Sequence, residues 1–201
     1  MVGGITAWKG PGDSHALFAV RTQMLIAYIG FGCRILLALV FVAAAASKLR
    51  GRRDFIEFRA TVSAFGVKPR WSSAAAGAVI ACELAAAALM PVGVTAPAGL
   101  GIGAALLIVF SLVIASALRR GTSTSCRCFG TSTRPLGARH LVRNAILLVI
   151  AGAGLAGTVL TGHTGSAGFD TAALIVSGFA AVVVAALVIA YDDLVALVLP
   201  R

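Results

Sequence analysis

Acidic residues are scarce. Seven Asp and Glu stand against 17 Lys and Arg in 201 residues, for a formal net charge of +10. Charged residues of both signs reach only 12%, about half the share of soluble domains. That paucity excludes a soluble globular enzyme and a disordered chain. Apolar residues make up 59% and the mean hydropathy is +0.98. Despite a pI near 10.8, the positive charge is therefore read first as membrane orientation, not as a nucleic-acid footprint. The 23 glycines, most of them in apolar runs, suit helices packed closely in lipid.

A spanning helix needs about 20 mostly apolar residues. Five runs meet this, at about 24–46, 73–92, 98–118, 141–161 and 171–191. The third has no charge at all. The first holds Arg34, the second Glu83, and the fourth begins with Arg143. The expected fold is all-α: an integral membrane bundle of about five transmembrane helices plus a short interfacial helix. Residues 1–23 form an N-terminal tail and 24–201 a single transmembrane domain. The tail has no early apolar core of the kind a cleavable signal peptide carries, so the first span is expected to be retained.

Lys and Arg divide unevenly between the two sides. Segment 48–70 holds Lys48, Arg50, Arg52, Arg53, Arg59, Lys68 and Arg70. Segment 119–143 holds Arg119, Arg120, Arg127, Arg134, Arg139 and Arg143, and Arg201 joins them. The other side has Lys9 and Arg21. The positive-inside rule then puts the chain in the plasma membrane with its N-terminus outside and its C-terminus cytoplasmic. Within the first basic segment Phe55, Phe58, Val62 and Phe65 recur at helical spacing and Gly66 is a natural stop. A short helix is expected over 54–65, lying in the interface with its phenylalanines in lipid or on the bundle.

Charges inside spans are costly. Arg34 lies twelve residues from Ala46 and Glu83 twelve from Trp71, on antiparallel helices. Equal depth and opposite sign predict an Arg34–Glu83 pair, either fixing helix register or handling protons or electrons. Cys33 and Cys82 directly precede these two residues, as inert small hydrophobes or as a second thiol pair.

The loop between spans three and four reads Gly121-Thr-Ser-Thr-Ser-Cys126-Arg127-Cys128-Phe129-Gly130. A zinc site would need more ligands than these two thiols and the nearby His140. Two free loop thiols remain an alternative; a redox dithiol accounts better for the spacing. A Cys-x-Cys disulfide holds its Cα atoms near the geometric limit and is strained, hence readily reduced. Arg127 between the sulfurs, with Arg119 and Arg120 nearby in sequence, favours the thiolate.

The ordered set of Arg34-Ile-Leu-Leu-Ala-Leu-Val-Phe41, Ser47-Lys48-Leu49, Phe65-Gly66, Glu83, Gly121, Cys126-Arg-Cys-Phe-Gly130 and Arg143-Asn144 resembles the MauE family. These are small integral membrane proteins of methylamine utilisation, distantly similar to DoxX proteins. The likeness covers about residues 25–165. It implies a membrane thiol–disulfide factor that helps form or maintain disulfides in an exported oxidoreductase, of the methylamine dehydrogenase kind, together with a thioredoxin-like partner. By position it implies Cys126 and Cys128 as the redox residues, with Arg127, Arg34, Glu83, Arg143 and Asn144 in support and no metal. A non-catalytic scaffold or subunit of a redox complex is the competing class; a transporter is a weaker third. No quinone or nucleotide motif is visible, and a bound quinone would favour the redox class. The charge count puts the Cys-x-Cys loop on the cytoplasmic face, whereas oxidation of an exported client calls for it outside.

Overall fold

A computed structural model of the chain describes residues 11–120, 138–162 and 170–198. Six helices follow one another: α1 (Pro11–Leu49), α2 (Arg52–Ala64), α3 (Pro69–Leu89), α4 (Ala96–Arg119), α5 (Ala138–Leu160) and α6 (Thr171–Val198). No strand occurs among the described residues. All except α2 are long and apolar enough to cross a membrane, so five spans are present. The described helix α1 reaches back to Pro11, ahead of Met24, and its apolar section starts at Phe18.

The breaks have local causes. Pro69 and Pro97 sit in the first turns of α3 and α4, where the missing N–H leaves no helical bond unmade. Between these helices Thr95 donates its hydroxyl to the Leu89 carbonyl at 2.9 Å, which ties down the turn. Gly66, at φ +98°, ends α2 as its sequence position suggests.

Helices α1, α3, α4 and α5 form a ring in that order, each packed on its neighbours. Leu37, Phe41, Met90, Leu100, Leu107 and Leu147 fill its centre. Glycines set the closest approaches. A β-carbon on Gly157 of α5 would lie 2.9 Å from Gly30 Cα of α1, so neither position has room for a methyl group. Helix α6 lies outside the ring on α1, where Ser177 donates its hydroxyl to the Tyr28 carbonyl at 3.0 Å.

Helix α2 packs on α3 and α1. Its Phe58 is 2% exposed, in a cluster with Ala45, Ala76 and Ile80, and Phe65 meets Ile114 and Ala117. The phenylalanines thus face the bundle. Burying one contributes about 1.5–3 kcal/mol, enough to hold so short a helix in place. Arg50, Arg52, Arg53, Arg59, Lys68, Arg70, Arg119 and Arg120 are exposed around this end of the bundle. The opposite end, at the α3–α4 turn and the start of α6, shows Asp170 among its described charges.

Candidate functional site

Glu83 is fully buried on the ring-facing stripe of α3 that also carries Ala76, Ile80, Ala86 and Ala87. Lys48, in the last turn of α1, is 2% exposed. It falls at heptad spacing from Phe41, on the stripe that faces the ring. Its Nζ donates to Glu83 Oε1 at 2.7 Å, to Oε2 at 3.0 Å and to the Ala44 carbonyl at 3.1 Å. The Phe58 ring of α2 lies under the ammonium, 5.0 Å from centroid to Nζ. Three helices therefore close around one ion pair whose donors are used.

The expected Arg34–Glu83 pair does not form. Helix register gives the reason. A β-carbon on Gly154 of α5 would touch both Cys33 Cβ, at 3.3 Å, and Leu100 Cδ2, at 3.5 Å. Arg34, next to Cys33, thus stands near Leu100, about a turn inside the start of α4 at Ala96. Lys48 lies fourteen residues further along α1, about 21 Å away at 1.5 Å per residue. Counting from the ends of the apolar runs placed Glu83 too far from Lys48, because the first half of α3 stands beside α2. Arg34 instead lies over the Phe31 ring at 5.7 Å, its Nε buried without a hydrogen bond, and has no carboxylate partner among the described residues.

A second polar pair joins α4 to α5. Asn144, 1% exposed, donates from Nδ2 to Ser111 Oγ at 3.2 Å. Ser111 spends its own proton on the Leu107 carbonyl at 2.7 Å, which makes it the acceptor and fixes the Asn144 amide orientation. Asn144 Oδ1 is left buried with no hydrogen bond among the described residues. Ala44, Ser111 and Asn144 lie eleven, eleven and ten residues from Cys33, Leu100 and Gly154, of which Cys33 and Leu100 both lie against the Gly154 position. Both polar pairs therefore occupy one level of the ring to within about a turn. Arg143 and His140, also buried, stand beside Asn144 and one turn before it on α5.

The other expected site residues fall differently. Cys33 is half-buried against α5 and Cys82 is exposed on α3, both as free thiols, so the structure does not join them. Cys126, Arg127 and Cys128 lie outside the described residues. Sequence reasoning missed Lys48, which its basic surroundings had assigned to a solvated loop. Its heptad spacing from Phe41 was the available signal. No group of His, Cys, Asp and Glu arranged as a metal site occurs among the described residues.

Residues 25–157 match the family model described as methylamine utilisation protein MauE. The chain is also 37% identical over 153 residues to the methylamine utilization protein MauE of Paracoccus denitrificans, covering 71% of this chain and 80% of that one. No solved structure matches the chain.

Proposed function

The chain belongs to the MauE family of methylamine utilisation proteins, and from that premise we propose that it serves a methylamine utilisation system as a membrane thiol–disulfide factor. The observation that carries this reading is the Cys126-Arg127-Cys128 motif in a family member whose spans hold no other paired thiols among the described residues. A thiolate of the client, or of a thioredoxin-like partner, attacks one sulfur of the Cys126–Cys128 disulfide. The mixed disulfide is resolved by the second thiol of the client. The client gains a disulfide, and the pair leaves as a dithiol holding the two electrons and two protons. Arg127 stabilises the thiolate that departs. The buried Lys48–Glu83 pair joins α1 to α3 and the Asn144–Ser111 pair joins α4 to α5, which holds these helices in register.

The client on this reading is an exported oxidoreductase, and the pair and its partner share a compartment. The exchange chemistry is the same on either face of the membrane. Membrane-impermeant thiol labelling of Cys126 and Cys128 in intact cells and in lysates identifies the face.

The test is a covalent trap. With Cys128→Ser the Cys126–Cys128 disulfide cannot form; the lone Cys126 thiolate instead attacks the disulfide of an oxidised thioredoxin-like partner, displacing one partner sulfur as a thiol, and with no Cys128 to release it the mixed disulfide accumulates and disappears on reduction. A scaffold, which the pairing of Lys48 with Glu83 and of Asn144 with Ser111 would also suit, gives no trapped species from either single replacement.

A further inference from the structure

Arg34 lies within a span, half-buried, with neither a hydrogen bond nor a carboxylate partner among the described residues. The described acids are engaged or distant. Glu83 holds Lys48, and Asp54 and Glu57 lie on α2 at the other end of the bundle. Asp170 accepts from the Ala172 N–H at 3.2 Å, in the first turn of α6. Arg34 Nε is sealed inside the protein. Its Nη1 and Nη2 are not among the buried unpartnered atoms, so the tip of the guanidinium fork stays accessible. An unmatched cation within a span is costly, and an anion at that tip removes the cost.

Depth identifies where that anion comes from. Helices α3, α4 and α5 have 21, 24 and 23 residues, hence lengths of about 32–36 Å, close to the roughly 30 Å of a hydrocarbon core. Their ends therefore reach the head-group layers. Cys33 and Leu100 both lie against the Gly154 position. Leu100 is four residues from the start of α4 at Ala96, and Gly154 six from the end of α5 at Leu160. Arg34, next to Cys33, thus starts about 6–9 Å below the end of the bundle opposite α2. Its side chain leans toward that end. The guanidinium carbon lies 5.7 Å over the ring of Phe31, about one turn nearer the start of α1, as helical side chains tilt. Snorkelling of this kind carries the charge to the layer of lipid phosphates. We propose that Arg34 binds the phosphate of an anionic phospholipid in the leaflet at the α3–α4 turn, its two Nη atoms donating to two phosphate oxygens. The sign of the whole head group follows from what surrounds it. A zwitterionic head brings its own ammonium, and Asp170, the described acid at this end, already caps α6. A head group of net negative charge needs no such acceptor.

The experiment uses the full chain in nanodiscs of phosphatidylcholine with a trace of phosphatidylglycerol that carries a photoreactive group beside its phosphate. Label is expected at residues 28–35 and 90–96, and excess unlabelled phosphatidylglycerol removes it. Phosphatidylethanolamine, with the same phosphate and an added ammonium, competes far less well. Arg34→Gln lowers labelling at these residues about tenfold, the scale of one charge-assisted hydrogen bond, with helicity and elution volume unchanged. Arg34→Lys, which keeps the charge but loses the fork, lies between. Arg53→Gln, at the α2 end, leaves this labelling as it was. The competition runs on the unreplaced chain, so it decides the matter even where Arg34→Gln fails to fold. Labelling confined to the α2 end, equal labelling of the Arg34→Gln chain, or equal competition by phosphatidylethanolamine overturns the proposal. Release of the label by inorganic phosphate as readily as by phosphatidylglycerol identifies a soluble anion as the ligand and overturns it as well.

Discussion

Lys48 of α1 holds both carboxylate oxygens of Glu83 on α3, at 2.7 and 3.0 Å, with both side chains at most 1% exposed. Two charges so removed from solvent gain from each other only while both are present. The cost of stranding one is about 3–5 kcal/mol, against a near-neutral cost for removing both.

The pair therefore makes a double-replacement prediction. Lys48→Met or Glu83→Leu alone strips most folded protein from the membrane, and the combined Lys48→Met/Glu83→Leu chain recovers it. Folded yield after detergent extraction, by fluorescence size exclusion, is the readout. Arg34→Leu combined with Glu83→Leu gives no recovery over Glu83→Leu, because Arg34 is not the partner. A recovery by the Arg34 combination and none by the Lys48 combination contradicts the structure.

The comparison of these two arginine and lysine positions shows how far the sequence could be read. Five spans, the helix between the first two and its stop at Gly66 follow from apolar run length and periodicity, which depend on local composition. The partner of Glu83 does not. It depends on how far one helix slides past another, and that is set by contacts between residues far apart in sequence, such as Gly30 on Gly157 and Phe58 on Ala76. A lysine at the end of an apolar run, followed by Arg50, Arg52 and Arg53, reads as solvated until α2 is seen to fold back over it. Asn144 was legible only through the family resemblance; its bond to Ser111 needs the α4–α5 register.

The glycine contact of α1 and α5 gives a second prediction. Gly157→Ala sets a methyl 2.9 Å from Gly30 Cα and 3.1 Å from the Ile26 carbonyl, both backbone atoms. Overpacking of this kind costs about 1–3 kcal/mol. Gly152→Ala, on the same helix with open space at its β-carbon, is neutral or slightly stabilising through helix propensity. Thermal unfolding in detergent should separate the two variants by several degrees, and equal midpoints would contradict the close approach.

A third prediction concerns orientation. The exposed cations Arg50, Arg52, Arg53, Arg59, Lys68, Arg70, Arg119 and Arg120 gather at the α2 end of the bundle. Burial of Lys48 and Arg143 removes two charges from the solvated count without reversing the asymmetry. A reporter fused after Arg201 is expected to be active in the cytoplasm, with the N-terminus outside. Export of that reporter reverses the topology and puts the loop holding Cys126 and Cys128 on the outer face.

The central claim is that Cys126 and Cys128 carry the exchange while the buried pairs only hold the bundle. The most direct measurement is the disulfide content of the exported client, by mass spectrometry, in cells whose chain carries Cys126→Ser and Cys128→Ser together. The account predicts a client with its thiols left unpaired or mispaired, while the doubly replaced chain stays in the membrane at normal abundance. A client with its full set of correct disulfides in those cells would contradict it.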